Sequence, residues 1–259
     1  MSRSFILIIG IVFLRGQELF PLDMERIEKH VREKFSEAVI ETRPFPHLII
    51  ENILPEELYE ELVANWPGHT VKDIENDLGN YDKKLWQEFF TSVMNNLIKR
   101  NIGAMFRRYL RYRFEDDICW ISLCNSKHLR DHTLYESLYI LPHLDHASTF
   151  AAVIIYFPEK NNQINFGTQF YRHKEEKTSI DIIWEHDLSK MELLKIVPFK
   201  RNTLCAFMQT PCAWHGFPMK VLPRRMYMSN IYVSNAFSEQ YYGHAWHLEE
   251  GYLDEEHSY

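Results

Sequence analysis

Residues 139–159 read YILPHLDHASTFAAVIIYFPE, and this stretch decides the fold prediction. Its second half is an apolar run over 150–157 that stops at Pro158, which is typical of a β-strand. Its first half holds His143 and Asp145, two residues apart. Side chains at positions i and i+2 of an extended segment point to the same face, so this imidazole and this carboxylate can bind one metal ion together.

Similar short segments lie on both sides of this stretch. They are rich in β-branched and aromatic residues, and glycine, proline, asparagine, aspartate or charged residues separate them. The predicted strands cover 118–124, 134–141, 150–157, 164–171, 179–184, 193–197, 203–208 and 225–233. Short strands in this number, after a helical first third, predict a mainly β fold with flanking helices, arranged as a β-sandwich or jelly roll.

The first third of the chain is predicted to be mostly helical. Helical spacing of apolar residues predicts helices over 22–38, 55–66 and 84–109, with a short strand at 47–51. No repeat, low-complexity tract or linker divides the sequence, so we expect a single domain over 1–259. Within it we predict a mostly helical part over 1–115, a jelly-roll catalytic core over 116–235 and a C-terminal tail over 236–259.

Composition narrows the class of protein. With 29 Lys and Arg against 36 Asp and Glu, the net charge is −7, which gives no electrostatic reason to expect nucleic acid as a partner.

The apolar run that follows Arg3 is too short to span a bilayer, and no small-residue cleavage site follows it. We therefore expect no stable membrane span and a cytoplasmic location, with export as the alternative if that run is a signal peptide. The 4 cysteines have no disulfide spacing, whereas 13 histidines direct attention to imidazole chemistry.

His215, in the segment CAWHGFP, is the third candidate ligand and comes seventy residues after Asp145. Two histidines and one carboxylate from separate strands are the donor set that holds non-haem Fe(II) and leaves three coordination positions open. The structural alternative is that His143 and His215 are ordinary hydrogen-bonded histidines.

Two arginines favour the metal-site interpretation. Arg224 and Arg225 lie nine and ten residues after His215 and open the last predicted strand. A buried arginine needs an anionic partner, and its planar fork suits a carboxylate. An open metal site beside such an arginine suits a small dicarboxylic co-substrate.

At this point the chain resembles the Fe(II)/2-oxoglutarate-dependent dioxygenase superfamily, in the group that includes prolyl 4-hydroxylase-like enzymes. PFPHLIIENILPEELYEEL is similar to the entry strand and helix of such enzymes, and YILPHLDH with AAVIIYFPE to the HxD strand and its successor. FGTQFYRHK resembles the glycine-led strand, and PFKRNTLCAFMQTPCAWHGFP the segment of the distal histidine. The motif in which a Ser or Thr follows the arginine by two residues is broken here, because Met226 and Tyr227 occupy those positions.

The resemblance implies a double-stranded β-helix with His143, Asp145 and His215 on Fe(II). It also implies that Arg224 or Arg225 binds the distal carboxylate of 2-oxoglutarate, and Tyr139 is a candidate hydrogen-bond partner of this co-substrate. The implied reaction uses O₂, releases succinate and CO₂, and hydroxylates an unactivated C–H bond. Ascorbate would keep the iron reduced.

Two other functions stay open on the sequence. One is a jelly-roll binding protein without turnover, and the other is a cupin-like zinc hydrolase or isomerase that uses the same three ligands without an arginine. The substrate, a small molecule or a peptidyl side chain, and the oligomeric state are not defined by the sequence.

Overall fold

The computed structural model describes residues 22–68, 77, 79–109, 121–122, 128–131, 140–145, 149–158, 164–179, 182–217 and 225–233. The apolar N-terminal run and the predicted tail over 236–259 lie outside these residues, as does the predicted division near residue 116.

Antiparallel strands form most of the described chain. In chain order they are β1 (His47–Glu51), β2 (Ile121–Ser122), β3 (His128–Asp131), β4 (Ile140–Leu144), β5 (Thr149–Tyr156), β6 (Gln169–His173), β7 (Ile183–Trp184), β8 (Met191–Ile196), β9 (Thr203–Met208), β10 (Trp214–Phe217) and β11 (Arg225–Val233). They make two sheets, one with the order β1-β9-β5-β11-β2 and with β3 also on β11, the other with the order β7-β4-β10-β6-β8. Strands distant in sequence are neighbours throughout, as in a jelly roll.

The two sheets pack face to face. Their shared core includes Ile154, Phe207 and Met226 from the first sheet and Phe170 from the second. The other face of the first sheet is covered by helices, so every residue of β5 is buried. This explains why β5 is an unbroken apolar run: a strand covered on both faces does not alternate between apolar and polar residues.

The helices cover the first sheet from outside. Helix α1 (Met24–Glu37) begins at Asp23, whose side chain accepts a hydrogen bond from the Arg26 backbone N–H, and buries an apolar stripe of Ile27, Val31 and Phe35. Helix α2 (Glu56–Ala64) follows Pro55. The third helical stretch contains α3 (Lys83–Glu88), a π-helical segment (Phe89–Ile98), α4 (Lys99–Phe106) and a 3₁₀ turn (Arg107–Tyr109). None of the helices in the described part of the chain is long and apolar enough to cross a bilayer.

The predicted fold class, mainly β with flanking helices around a jelly-roll core, is confirmed. The prediction was incomplete at β3 and β10, which were not recognised as strands, and wrong at residues 164–166, which form a 3₁₀ turn. The helix predicted over 84–109 is continuous but contains the ten-residue π-helical segment.

Asn202, directly before β9, is hydrogen-bonded to Leu54, directly before Pro55 and α2. Its side chain accepts a hydrogen bond from the Leu54 backbone N–H at 3.0 Å and donates one to the Leu54 carbonyl at 2.8 Å. The residue is fully buried and has a left-handed φ of 52°. Asn202 is thus a structural turn residue that joins the helical layer to the sheet.

Replacing Asn202 with alanine should lower the free energy of unfolding by about 2 kcal/mol, because the substitution orphans two backbone groups of Leu54 and keeps an unfavourable φ. Asn202→Gly relieves the backbone strain alone and should lose less. Urea denaturation of both variants measures the difference, and equal stability of Asn202→Ala and the wild type would contradict this account.

Candidate metal centre

Two neighbouring strands carry the predicted ligands. Strand β4 pairs antiparallel with β10, and His143 lies directly opposite His215 in this register. Asp145 follows the end of β4 and shares the face of His143. The structure therefore brings together the three residues that the sequence predicted as ligands.

The three side chains converge on one point. Nε2 of His143 lies 3.5 Å from Oδ1 of Asp145, and Nε2 of His215 lies 3.8 Å from Oδ2 of the same carboxylate. One ligand atom from each residue lies within 4.8 Å of the others. Two donors that bind one ion at about 2.1 Å and at right angles are about 3 Å apart, so these separations fit a single divalent metal ion.

The imidazole rings are oriented as metal ligands. Nδ1 of His143 lies 2.9 Å from the Leu141 carbonyl oxygen, and Nδ1 of His215 lies 3.0 Å from the Ala213 carbonyl oxygen. A carbonyl only accepts, so each Nδ1 donates and each Nε2 keeps its lone pair for a metal. Burial, with a smaller contribution from His143, lowers the pKa of His215 to about 4, so His215 is neutral at physiological pH.

The ligands open into a cavity of about 260 Å³ between the two sheets. Its polar side chains besides the ligands are Thr168 and Asn230. The rest of the lining is mainly apolar and comprises Ile140, Ala152, Ile154, Ile182, Trp184, Phe207, Phe217, Met226 and Met228. Such a lining places mostly apolar surface beside the metal ligands.

Arg225 does not line this cavity. It contributes instead to a separate cavity of about 370 Å³ with Tyr59, Trp66 and Phe157. The reason is strand alternation: Met226, Met228 and Asn230 line the metal cavity, so Arg225 has the opposite parity. Arg225 thus faces away from the metal cavity in the described strand, and Arg224 and Tyr139 lie outside the described residues.

Two residues that the sequence did not single out support the ligands. The Trp184 ring stacks on the His143 ring, with centroids 4.2 Å apart and planes at 19°. The buried side chain of Gln209 donates hydrogen bonds to the carbonyl oxygens of Asp145 at 2.9 Å and of Thr210 at 3.3 Å. No sequence pattern marked either residue, because both contacts arise only when distant strands pair.

Substitution of Gln209 by methionine should weaken metal binding about tenfold, as the loss of an outer hydrogen bond to a ligand segment commonly does. Oε1 of Gln209 is buried with no hydrogen-bond partner in the described part of the structure, so the thioether also removes an unsatisfied atom. Methionine also leaves the carbonyl oxygens of Asp145 and Thr210 without this donor, so we expect a net loss of about 1 kcal/mol in the free energy of unfolding. Calorimetric titration with Co²⁺ and urea denaturation measure the two effects, and an unchanged Kd would show that Gln209 does not position Asp145.

No protein-family model matches the chain, and no curated protein matches it in sequence. Among solved structures, the chain is similar to a prolyl 4-hydroxylase from Phytophthora capsici, with a TM-score of 0.50 and 10% identity over 84% of this chain and 68% of that one.

Two further solved structures resemble the chain less closely. AviO1 from Streptomyces viridochromogenes gives a TM-score of 0.47 at 9% identity, over 84% of this chain and 98% of that one. HygX from Streptomyces hygroscopicus, crystallised with nickel and 2-oxoglutarate bound, gives 0.45 at 9% identity, over 73% and 83%.

Identities this low bear on the fold and not on the reaction. The chain shares its fold with the Phytophthora capsici prolyl 4-hydroxylase, so the predicted resemblance to prolyl 4-hydroxylase-like proteins is confirmed for the fold.

Proposed function

We propose that the protein is an iron- and 2-oxoglutarate-dependent oxygenase that hydroxylates an unactivated C–H bond of a small-molecule or peptidyl substrate and releases succinate and CO₂. The observation that carries this proposal is the convergence of His143, Asp145 and His215 at the end of an apolar cavity. Two imidazoles and one carboxylate leave open positions on Fe(II) for a co-substrate and O₂.

Each ligand residue has a definite role in this proposal. Nε2 of His143, Nε2 of His215 and the Asp145 carboxylate would hold the iron, and the two Nδ1 hydrogen bonds keep the rings in place. When bound, Fe(II) would supply the O₂ activation that couples decarboxylation of 2-oxoglutarate to oxidation of a C–H bond. The mainly apolar walls would hold an apolar part of the substrate beside the metal.

Arg224 is the proposed partner of the distal carboxylate of 2-oxoglutarate. Support comes from the sequence: Arg224 lies two residues before Met226 and four before Met228, both of which line the cavity, and residues two apart in an extended segment share a face. A guanidinium binds a carboxylate in a bidentate manner. Tyr139 is proposed as a second hydrogen-bond partner, and ascorbate as the reductant that maintains Fe(II).

The two arginines should respond differently to substitution. Arg224→Ala should raise the concentration of 2-oxoglutarate needed for half-saturation at least tenfold, because a charge-assisted hydrogen bond is worth about 1.5–3 kcal/mol. Arg225→Ala should leave it unchanged, since Arg225 lines another cavity. Calorimetric titration of 2-oxoglutarate into the metal-loaded variants measures this, and a larger effect of Arg225→Ala would refute the assignment.

The function itself is tested with purified protein, Fe(II), ascorbate and 2-oxoglutarate, by measuring succinate above a blank. Turnover that disappears in His143→Ala and Asp145→Ala is the expected result. Stoichiometric retention of zinc without 2-oxoglutarate binding would favour a cupin-like hydrolase or isomerase. Absence of both metal and 2-oxoglutarate binding would favour a non-catalytic jelly-roll protein.

We propose a cytoplasmic location, with export as the alternative, and no nucleic-acid partner.

A further inference from the structure

Two exposed apolar side chains stand beside the metal ligands. Ile182 is 56% exposed and Trp184 is 45% exposed, yet both line the metal cavity. Ile183 between them packs instead against Leu144 and Trp214 on the other side of the sheet. Strand alternation therefore directs 182 and 184 together toward the cavity.

Trp184 is fixed relative to the metal ligands. It is the register partner of His143 across β7 and β4, and its ring stacks on that imidazole at 4.2 Å. Nearly half of its surface is still exposed to solvent. Large apolar side chains left exposed next to a cavity mark a surface on which a ligand packs.

The charge of the lining restricts what that ligand is. Apart from the two histidines, Asp145 is the one ionisable side chain among the cavity-lining residues that the structure describes. In the proposed function its charge is taken up by the metal. An apolar group gains contact with the exposed surfaces of Trp184 and Ile182, whereas none of the other described lining residues offers a charged group an ionic partner.

We infer that Ile182 and Trp184 form the substrate-binding wall of the metal site and that the group brought to the metal is small, uncharged and apolar. This inference rests on the proposed function and names the substrate class for the same site. The cavity, at about 260 Å³, lies just below the range of 300–1,000 Å³ that is typical of ligand pockets. Because 2-oxoglutarate takes up part of this space in the proposed function, one aliphatic or aromatic group enters and the remainder of the substrate stays outside the cavity.

The probes for the test are capped amino-acid amides that differ in one side chain: N-acetyl-leucine amide against N-acetyl-lysine amide. Saturation-transfer NMR measures their affinity with or without metal, in the presence of 2-oxoglutarate. Relaxation of the probe protons by Mn²⁺ in the loaded protein reports whether the probe lies near the ligands. We expect the leucine amide to bind at least tenfold more tightly than the lysine amide and to be relaxed by Mn²⁺.

Variants distinguish the role of Ile182 and Trp184 in substrate binding from the role of Trp184 in holding the His143 ring. Trp184→Ala should weaken the leucine amide about tenfold, and Trp184→Phe should recover most of the loss because a ring is retained. Ile182→Glu leaves the stack on His143 intact and should reverse the preference toward the lysine amide. Leu193→Ala is the matched control, since Leu193 is 46% exposed on β8, at the opposite edge of the same sheet, and should change nothing.

The outcomes distinguish the two proposals. Absence of Mn²⁺ binding would refute the proposed function and this inference with it. Mn²⁺ binding with equal or tighter binding of the lysine amide, or with an Ile182→Glu variant that keeps the wild-type preference, would overturn the inference alone.

Discussion

Asp145→Ala is expected to reduce the affinity for Fe(II) or Co²⁺ by more than about 100-fold. Loss of a residue that only hydrogen-bonds a metal ligand already reduces metal affinity by about 10- to 100-fold. The carboxylate is the one anionic donor of the set and faces both Nε2 atoms, at 3.5 and 3.8 Å. Without it, two imidazoles on adjacent strands remain as donors. Metal affinity is measured by calorimetric titration of the metal-free protein.

Asp145→Asn separates charge from shape at this position. The amide keeps the size of the side chain and one oxygen but loses the negative charge, so its metal affinity should fall between those of the wild type and Asp145→Ala. Glu192→Gln on β8 serves as the control, because Glu192 pairs with Arg172 on the surface, away from the metal ligands. Full metal affinity in Asp145→Asn would show that the charge is not required.

Gly167→Ala is expected to lower the free energy of unfolding by about 4 kcal/mol, at the upper end of the effects of single substitutions. A Cβ at this position would lie 1.7 Å from the Val197 carbonyl oxygen and 2.7 Å from its carbonyl carbon. Backbone atoms cannot rotate away, so the two segments would have to separate where the Val197 N–H donates to the Thr168 carbonyl at 2.9 Å.

Gly68→Ala is the matched control for this prediction. Gly68 has a φ of 74°, but a Cβ there would have no atom of the described residues within 4 Å. It therefore reports the cost of a left-handed backbone without crowding, about 1 kcal/mol. Urea denaturation of both variants tests the argument, which fails if Gly167→Ala loses no more stability than Gly68→Ala.

The sequence predicts the main strands well where burial has a simple pattern. The run over 150–157 coincides closely with β5, because a strand covered on both faces needs apolar residues throughout. Strand β10 was missed because its four residues follow Pro211 and include Gly216, and its strand structure depends on hydrogen-bonded neighbours on both sides. The π-helical segment has no sequence pattern that separates it from an α-helix.

At the site, the ligands were predictable and their surroundings were not. The HxD spacing placed His143 and Asp145 on one face, and the resemblance of the segment around His215 to the distal-histidine segment indicated the third ligand. The sequence could not show which residues of β11 face the cavity, because Met226 and Tyr227 are both buried although they lie on opposite faces of the strand. Arg224 and Arg225 were therefore equivalent candidates. Trp184 and Gln209 contact the ligand residues only because distant parts of the chain come together in the fold. Trp184 meets His143 where β7 pairs with β4, and Gln209, directly after β9, donates a hydrogen bond to the Asp145 carbonyl.

The antiparallel pairing of His143 with His215 has a consequence for metal binding at the candidate site. Main-chain hydrogen bonds between β4 and β10, and not the ion, set the distance between the two imidazoles. The site is thus preorganised, unlike a zinc finger, whose fold requires the metal. A chelator should therefore remove the metal ion without unfolding the protein. The ion should bind and dissociate while the two strands stay paired.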